Sequence, residues 1–274
     1  MFPGATDGPL SEAAYAIIGA PLDVSTTFYP GARFGPEQIR HFARGFEDFD
    51  HYTGQHFSEL SVVDQGDLHS WNAVDEYLRF LEGEVRDICE ANAIPIILGG
   101  EHTVAIAGFN ASAPDVIISL DAHLDLREEF DGNSLSHATV MTHAESVADE
   151  IVIVGARSGS QSEWERAEAK ASITTVEPES VRNWIDSIPT FLDPEQTVYL
   201  SLDIDVLDPA FAPATGTKEP GGLDTHTVRA VIEALAPYIV AADIVEVTDR
   251  DHGQTGTVAA TMTRRIIYEH ALYQ

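Results

Sequence analysis

The sequence holds a single cysteine, Cys89, among 274 residues. One thiol excludes an internal disulfide framework, and Cys89 falls inside a helical pattern as a core residue. No apolar run reaches the roughly 18 residues that a membrane span requires. Residues 1–14 lack the basic start and apolar centre of a secretory signal. These absences point to a protein of the reducing cytoplasm with no membrane partner. Basic residues are also scarce: of 15 Lys plus Arg, only Lys170 and Lys218 are lysines. No Pro/Ser-rich linker, internal repeat or break in composition interrupts the chain, so one large domain over 1–274 is expected.

What the chain has in excess is acid. Asp and Glu number 45, for a formal net charge of −30. A pocket cannot absorb so many carboxylates, so they must cover the surface, where they repel nucleic acid and acidic membranes. The apolar share is 44%, which argues against disorder despite the charge. The composition reads as a salt-adapted, halophilic surface. Concentrated salt shortens the Debye length to about 3 Å at 1 M and relieves the self-repulsion.

Three short stretches carry the chemistry: Gly-Gly-Glu-His at 99–102, Asp-Ala-His-Leu-Asp at 121–125 and Ser-Leu-Asp-Ile-Asp at 201–205. Each closes an apolar, β-branched-rich run (94–98, 116–120 and 198–202) that reads as a buried strand. Further strands are expected at 15–20, 59–63, 150–154, 172–176 and 241–247. Helical patterns fill 72–92, 139–148, 162–170, 179–187, 224–237 and 255–270, with others opening at Gly35-Pro36 and after Thr103. Strand–helix alternation of this kind predicts a three-layer α/β/α sandwich around a central parallel sheet.

In such a sheet, ligands collect outside the carboxyl ends of the strands. Three adjacent strand ends would bring two His and four Asp into one small volume. If 121–125 continues its strand, alternate residues share a face and all three ligand types point one way. So many acids together require cations. Carboxylate and imidazole without thiolate suit Mn²⁺ and its neighbours better than a structural zinc site. One ion would leave carboxylates uncompensated, whereas two ions about 3.5–4 Å apart, sharing carboxylates, would satisfy them and activate a water.

On these motifs the chain resembles the arginase/agmatinase superfamily, the ureohydrolases. The resemblance extends through Gly-Ala-Arg-Phe-Gly-Pro at 31–36, Ala214-Thr215-Gly216-Thr217 to Glu219-Pro220-Gly221-Gly222, and Asp243-Ile244-Val245-Glu246-Val247. It covers about 31 to 250, in the family's order. It implies an α/β/α fold and a dimanganese site held by His102, Asp121, His123, Asp125, Asp203 and Asp205. Asp121 and Asp203 would bridge the ions. His102 and Asp125 would bind one ion; His123 and Asp205 would bind the other. Asp125 would also hold the attacking hydroxide, His137 would move protons to the leaving amine, and Glu246 would grip the guanidinium. Co²⁺, Ni²⁺ and Fe²⁺ remain alternatives to Mn²⁺. The family usually forms trimers or hexamers, so a homo-oligomer is expected.

Substrate choice rests on the loop 126–134. Arginases use a polar loop there, notably an asparagine and a serine; this chain has Arg127 in place of the asparagine, followed by Glu128 and Glu129. The loop is more similar to that of archaeal agmatinases, and Glu219 before Pro220-Gly221-Gly222 fits the same version. An acidic loop tolerates a cationic tail, so agmatine, cleaved to putrescine and urea for polyamine biosynthesis, is the expected substrate, with Arg127, Glu128, Glu219 and Glu246 as its contacts. Arg127 keeps an acid-tailed compound such as 4-guanidinobutyrate open. Aminopropylagmatine, arginine and formimidoylglutamate are further alternatives within the class. A catalytically silent metal-binding assembly protein is the alternative outside it.

Overall fold

A computed structural model describes residues 1–69 and 71–274. The strands are β1 (Tyr15–Ala20), β2 (Phe49–Asp50), β3 (Gln55–His56), β4 (Val62–Asp67), β5 (Ile94–Gly99), β6 (Val116–Leu120), β7 (Glu150–Val154), β8 (Ile173–Val176), β9 (Val198–Asp203) and β10 (Ile239–Val245). The α-helices are α1 (Gly35–Ala43), α2 (Val74–Glu90), α3 (Ala105–Ser112), α4 (Val140–Ala144), α5 (Gln161–Ala169), α6 (Val181–Phe191), α7 (Thr225–Leu235) and α8 (Gln254–His270).

Eight strands form one sheet in the order β4-β1-β5-β10-β9-β6-β7-β8, and every pairing is parallel. Both faces are covered, which is why the central strands are continuous apolar runs rather than alternating ones. Successive strand residues feed opposite layers. Val198, Leu200 and Leu202 enter a core shared with α1, α6, α7 and α8, while Tyr199 enters one shared with α2, α3, α4 and α5. On α2 the buried residues Tyr77, Leu78, Leu81, Val85 and Ile88 make one helical stripe. The expected α/β/α sandwich is therefore the observed fold.

Several boundaries differ from expectation for local reasons. The strand read at 59–63 begins at Val62, because Phe57–Glu59 is a short 3₁₀ turn. The helix read at 139–148 is reduced to Val140–Ala144, preceded by a 3₁₀ turn that Ser136 and Thr139 close with a capping box. Helix α6 runs through Pro189 to Phe191, where the sequence had suggested an end at 187. The hairpin β2–β3 has no apolar alternation and was not readable.

Two corrections bear on the site. The motif strands are not all neighbours: β10 lies between β5 and β9. It brings its own acid, Glu246, into the row. Nor does 121–125 continue its strand, since β6 ends at Leu120 and Asp125 has φ +49°. The ligands converge through a turn, not through strand alternation.

Candidate active site

The site lies at the carboxyl ends of β5, β10, β9 and β6, where the chain leaves each strand. Asp203 is the last residue of β9, and its side chain accepts the Asp205 N–H at 2.9 Å, which turns Asp205 back toward the same volume. Past β6, Asp121 accepts the His123 N–H at 2.7 Å, and Asp205 accepts the Ala122 N–H at 3.1 Å. Past β10, Glu246 stands in the left-handed region at φ +62°. Such a conformation in a residue other than glycine is strained and is held only by its surroundings. Here the Glu246 N–H donates to the Gly100 carbonyl, and Glu246 Oε1 accepts the His102 N–H at 2.9 Å.

Two trios of donor atoms result, each with its atoms within 4.8 Å of one another: His102–Asp121–Asp125 and Asp121–His123–Asp205. Asp121 belongs to both. His102 Nδ1 lies 3.0 Å from Asp125, 3.1 Å from Asp121 and 3.7 Å from Asp203. His123 Nδ1 lies 3.0 Å from Asp205 and 3.6 Å from Asp121. On the far side of His102, Ser201 Oγ donates to the fully buried Asp243, so it accepts from His102 Nε2 at 2.9 Å. Asp121 and Asp125 hold a second proton on His102 Nδ1 and push this histidine well above its ordinary value. A cation among the carboxylates would take the place of that proton. Asp121 Oδ2 is buried with no hydrogen-bond partner among the described residues. A metal pair fits this donor set.

Protonation in the bare site leads to the same conclusion. Burial pushes Asp125 up to about 6, helped by the Asp121 charge, and pushes Glu246 up to about 8 despite its bond from His102. Burial and the neighbouring Asp205 and Asp121 hold Asp203 well above the usual carboxylate range. Burial alone would lower His123, but Asp205 and Asp121 push it up to about 12. Burial would likewise raise Asp121, yet the neighbouring His102 and His123 imidazoles hold it below the usual range. Protons thus stand where cations would balance the acids.

Above the acids is a cavity of about 310 Å³. Its lining includes Asp125, Asp203, Asp205, His123, Glu246 and His137 together with Arg127, Phe130, Ser160 and Glu163. His137 Nδ1 lies 3.7 Å from Glu246 Oε1, and burial together with the positive His102 and His123 pushes it down to about 4. Glu246 Oε2 faces Gly216, where an added Cβ would come within 3.2 Å. The second carboxylate oxygen thus abuts a residue without a side chain, and Glu246 lines the cavity.

The substrate contacts expected from the loop are only partly brought to this cavity. Arg127 lines it and pairs with Glu163 at 3.3 Å. Glu128 does not: its side chain is 88% exposed, lies 3.6 Å from Arg166 and lines a separate surface hollow. A loop carboxylate this far from the apolar core gains nothing by turning inward. Glu219 lies outside the lining and beside His123 instead. Its Oε1 is 3.8 Å from His123 Nε2 and accepts from Ser158 Oγ at 2.9 Å, so it backs the histidine rather than the substrate space.

Other residues here were not singled out from sequence. Glu163 is a buried acid of the cavity lining, and its signal was present as the capping box Ser160-x-x-Glu163. Glu101, inside Gly-Gly-Glu-His, is fully buried and accepts from Ser25 and Thr103. Thr27, on a loop with no periodic pattern, reaches the ring of His137.

Comparison with known proteins agrees with this geometry. The model of the arginase family matches residues 13–268. The agmatinase of Halalkalibacterium halodurans is 36% identical over 241 residues, covering 84% of this chain and 82% of that protein. The N(1)-aminopropylagmatine ureohydrolase of Thermococcus kodakarensis is 34% identical over 258 residues, covering 91% and 88%. The crystal structure of the agmatine ureohydrolase of Thermoplasma volcanium superposes with a TM-score of 0.93 at 31% identity, covering 99% of this chain and 94% of that one. With residues 13–268 matched by the family model and relatives more than 30% identical over most of its length, the chain belongs to the arginase family.

Proposed function

We propose that the chain is an agmatinase, hydrolysing agmatine to putrescine and urea with two Mn²⁺ ions held by His102, Asp121, His123, Asp125, Asp203 and Asp205. The observation that carries this reading is one cavity lined by Glu246 and by members of two donor trios that share Asp121. When bound, the ions supply Lewis acidity and lower the pKa of a water toward neutrality. The rest is done by the chain. Glu246 pairs with the planar guanidinium and fixes its orientation over the acids. Asp125 accepts a hydrogen bond from the nucleophile. His137 moves a proton to the nitrogen that leaves.

The cavity admits a small linear guanidine and no polymer. Agmatinase and aminopropylagmatine ureohydrolase relatives both support a cationic tail. A second reading, a guanidino acid such as 4-guanidinobutyrate, is favoured by one observation: Arg127 lines the tail end. Urea release from agmatine, aminopropylagmatine, arginine and 4-guanidinobutyrate, with Mn²⁺ supplied, separates them. No urea from any of the four would overturn the assignment. We further propose a cytoplasmic homo-oligomer, a trimer or hexamer, adapted to high salt. No helix among the described residues is long and apolar enough to cross a membrane.

A further inference from the structure

One loop of the N-terminal region is pinned so that it presents a hydroxyl to His137. Asp23 closes it by accepting the Gly31 N–H at 2.7 Å. Ser25 anchors its middle: its N–H and Oγ–H donate to the buried Glu101 at 2.7 and 2.8 Å. Ser25 Oγ in turn accepts the main-chain N–H of His137 at 2.9 Å. Two residues on, Thr27 Oγ1 lies 3.2 Å from His137 Nε2, and Thr27 makes no other hydrogen bond among the described residues. The imidazole is thus held at its backbone by Ser25 and at its outer nitrogen by Thr27. Its inner nitrogen, Nδ1, faces Glu246 and the cavity.

We infer that Thr27 is a positioning residue for the proton transfer: its hydroxyl oxygen accepts Nε2–H and keeps His137 in the tautomer whose Nδ1 lone pair points into the cavity. This rests on the ureohydrolase reading above. The stoichiometry gives such a group a task. Hydrolysis of an alkylguanidinium forms a C–O bond, breaks the C–N bond to the alkyl nitrogen, and transfers both protons of water to that nitrogen. Urea and an alkylammonium leave, with no net proton gained or lost. A base facing the cavity can accept one of these protons and return it. Nδ1 can do so only while its own proton is absent. A hydroxyl that accepts Nε2–H favours this tautomer, in the manner of the third member of a catalytic triad. Thr27 is exposed at the cavity mouth, so its hydroxyl hydrogen is free to turn to water.

The test compares Thr27→Val and Thr27→Ser in the Mn²⁺-loaded enzyme, each alone and combined with His137→Asn. Thr27→Val is expected to lower kcat about 10- to 100-fold, a part of the effect of a general acid–base group, with KM and metal content unchanged. Thr27→Ser should restore activity, and Thr27→Val should cost nothing further in the His137→Asn background. ¹⁵N NMR of the ring should report Nε2–H in wild type and a tautomer mixture in Thr27→Val. An equal loss with and without His137, no loss at all, or an unchanged tautomer in Thr27→Val would overturn the inference. The NMR arm needs no turnover, so it separates this inference from the assignment of substrate. Thr27→Ala, which removes the oxygen without adding bulk, controls for packing.

Discussion

Glu246 Oε1 accepts the backbone N–H of His102 at 2.9 Å, across 144 residues of sequence. One carboxylate oxygen is therefore spent on the loop that carries His102, and only Oε2 remains for a substrate. Glu246→Gln can keep the first bond through its carbonyl oxygen while turning an N–H₂ toward the guanidinium. Metal content should then be unchanged while kcat/KM for agmatine falls about 100- to 1000-fold, roughly 3–4 kcal/mol, the scale for losing one partner of a buried charge pair. Unchanged kcat/KM in that variant would remove Glu246 from substrate binding.

Asp121 is the residue common to both donor trios. Asp121→Ala should therefore lower bound Mn²⁺ from two per chain to one or none and abolish most activity. Asp125→Ala, which touches only one trio, should lose a single ion. Metal analysis of dialysed protein decides this. Two ions retained in Asp121→Ala would contradict the shared-ligand geometry.

Removing metal should make stability fall with rising pH. Asp125, near 6, Glu246, near 8, and Asp203 are all raised above their unfolded values. Each contributes stability that is present below the unfolded pKa and lost as pH climbs through the folded one. His123, raised to about 12, acts in the same direction. His137, lowered to about 4, acts oppositely, but only as pH falls below its unfolded value of about 6.5. The unfolding midpoint of EDTA-treated protein should thus drop between about pH 5 and 9. With Mn²⁺ present it should hold, since ions replace the protons. Parallel curves with and without EDTA would rule this out.

The sequence makes the sheet and the clustering of acids and imidazoles legible because both rest on local pattern. Buried parallel strands are unbroken apolar runs, and Asp121, His123, Asp203 and Asp205 follow them directly. The turns that aim those side chains are not local. Asp125 and Glu246 occupy left-handed conformations that no propensity predicts, and each is held by contacts far away in sequence. The order of strands was equally hidden, so the acid of β10 could be named but not placed between β5 and β9. The loop 126–134 misled for another reason: on a chain of charge −30, an acid beside a motif carries little information. Glu128 proved to be solvent-facing, while the buried Glu163 looked like an ordinary helix cap.

The same charge gives a prediction about salt. Carboxylates outnumber basic groups three to one, so self-repulsion destabilises the compact state at low ionic strength. The unfolding midpoint should rise as KCl increases from about 0.1 to 3 M, a range in which the Debye length shrinks from about 10 Å to below 3 Å. A midpoint that falls across that range would refute salt adaptation.

Substrate choice turns on the pair at the tail end of the cavity. Glu163 is buried; it accepts Ser160 N–H and Oγ–H at 2.8 and 2.6 Å, the Leu126 N–H at 3.2 Å, and Arg127 at 3.3 Å. An ammonium tail can share this carboxylate with Arg127. A carboxylate tail must draw Arg127 away and leave Glu163 buried without its cation, which is costly. Arginine brings both groups and meets no asparagine–serine site for its α-carboxylate. Agmatine should therefore exceed arginine and 4-guanidinobutyrate in kcat/KM by at least roughly 100-fold, about 2.7 kcal/mol. Arg127→Ala separates the readings. If Arg127 only neutralises Glu163, the variant keeps agmatine activity and widens the preference for a cationic tail. If 4-guanidinobutyrate is the better substrate of the wild type, Arg127 is its carboxylate partner, and Arg127→Ala should abolish that activity while leaving both metal ions in place.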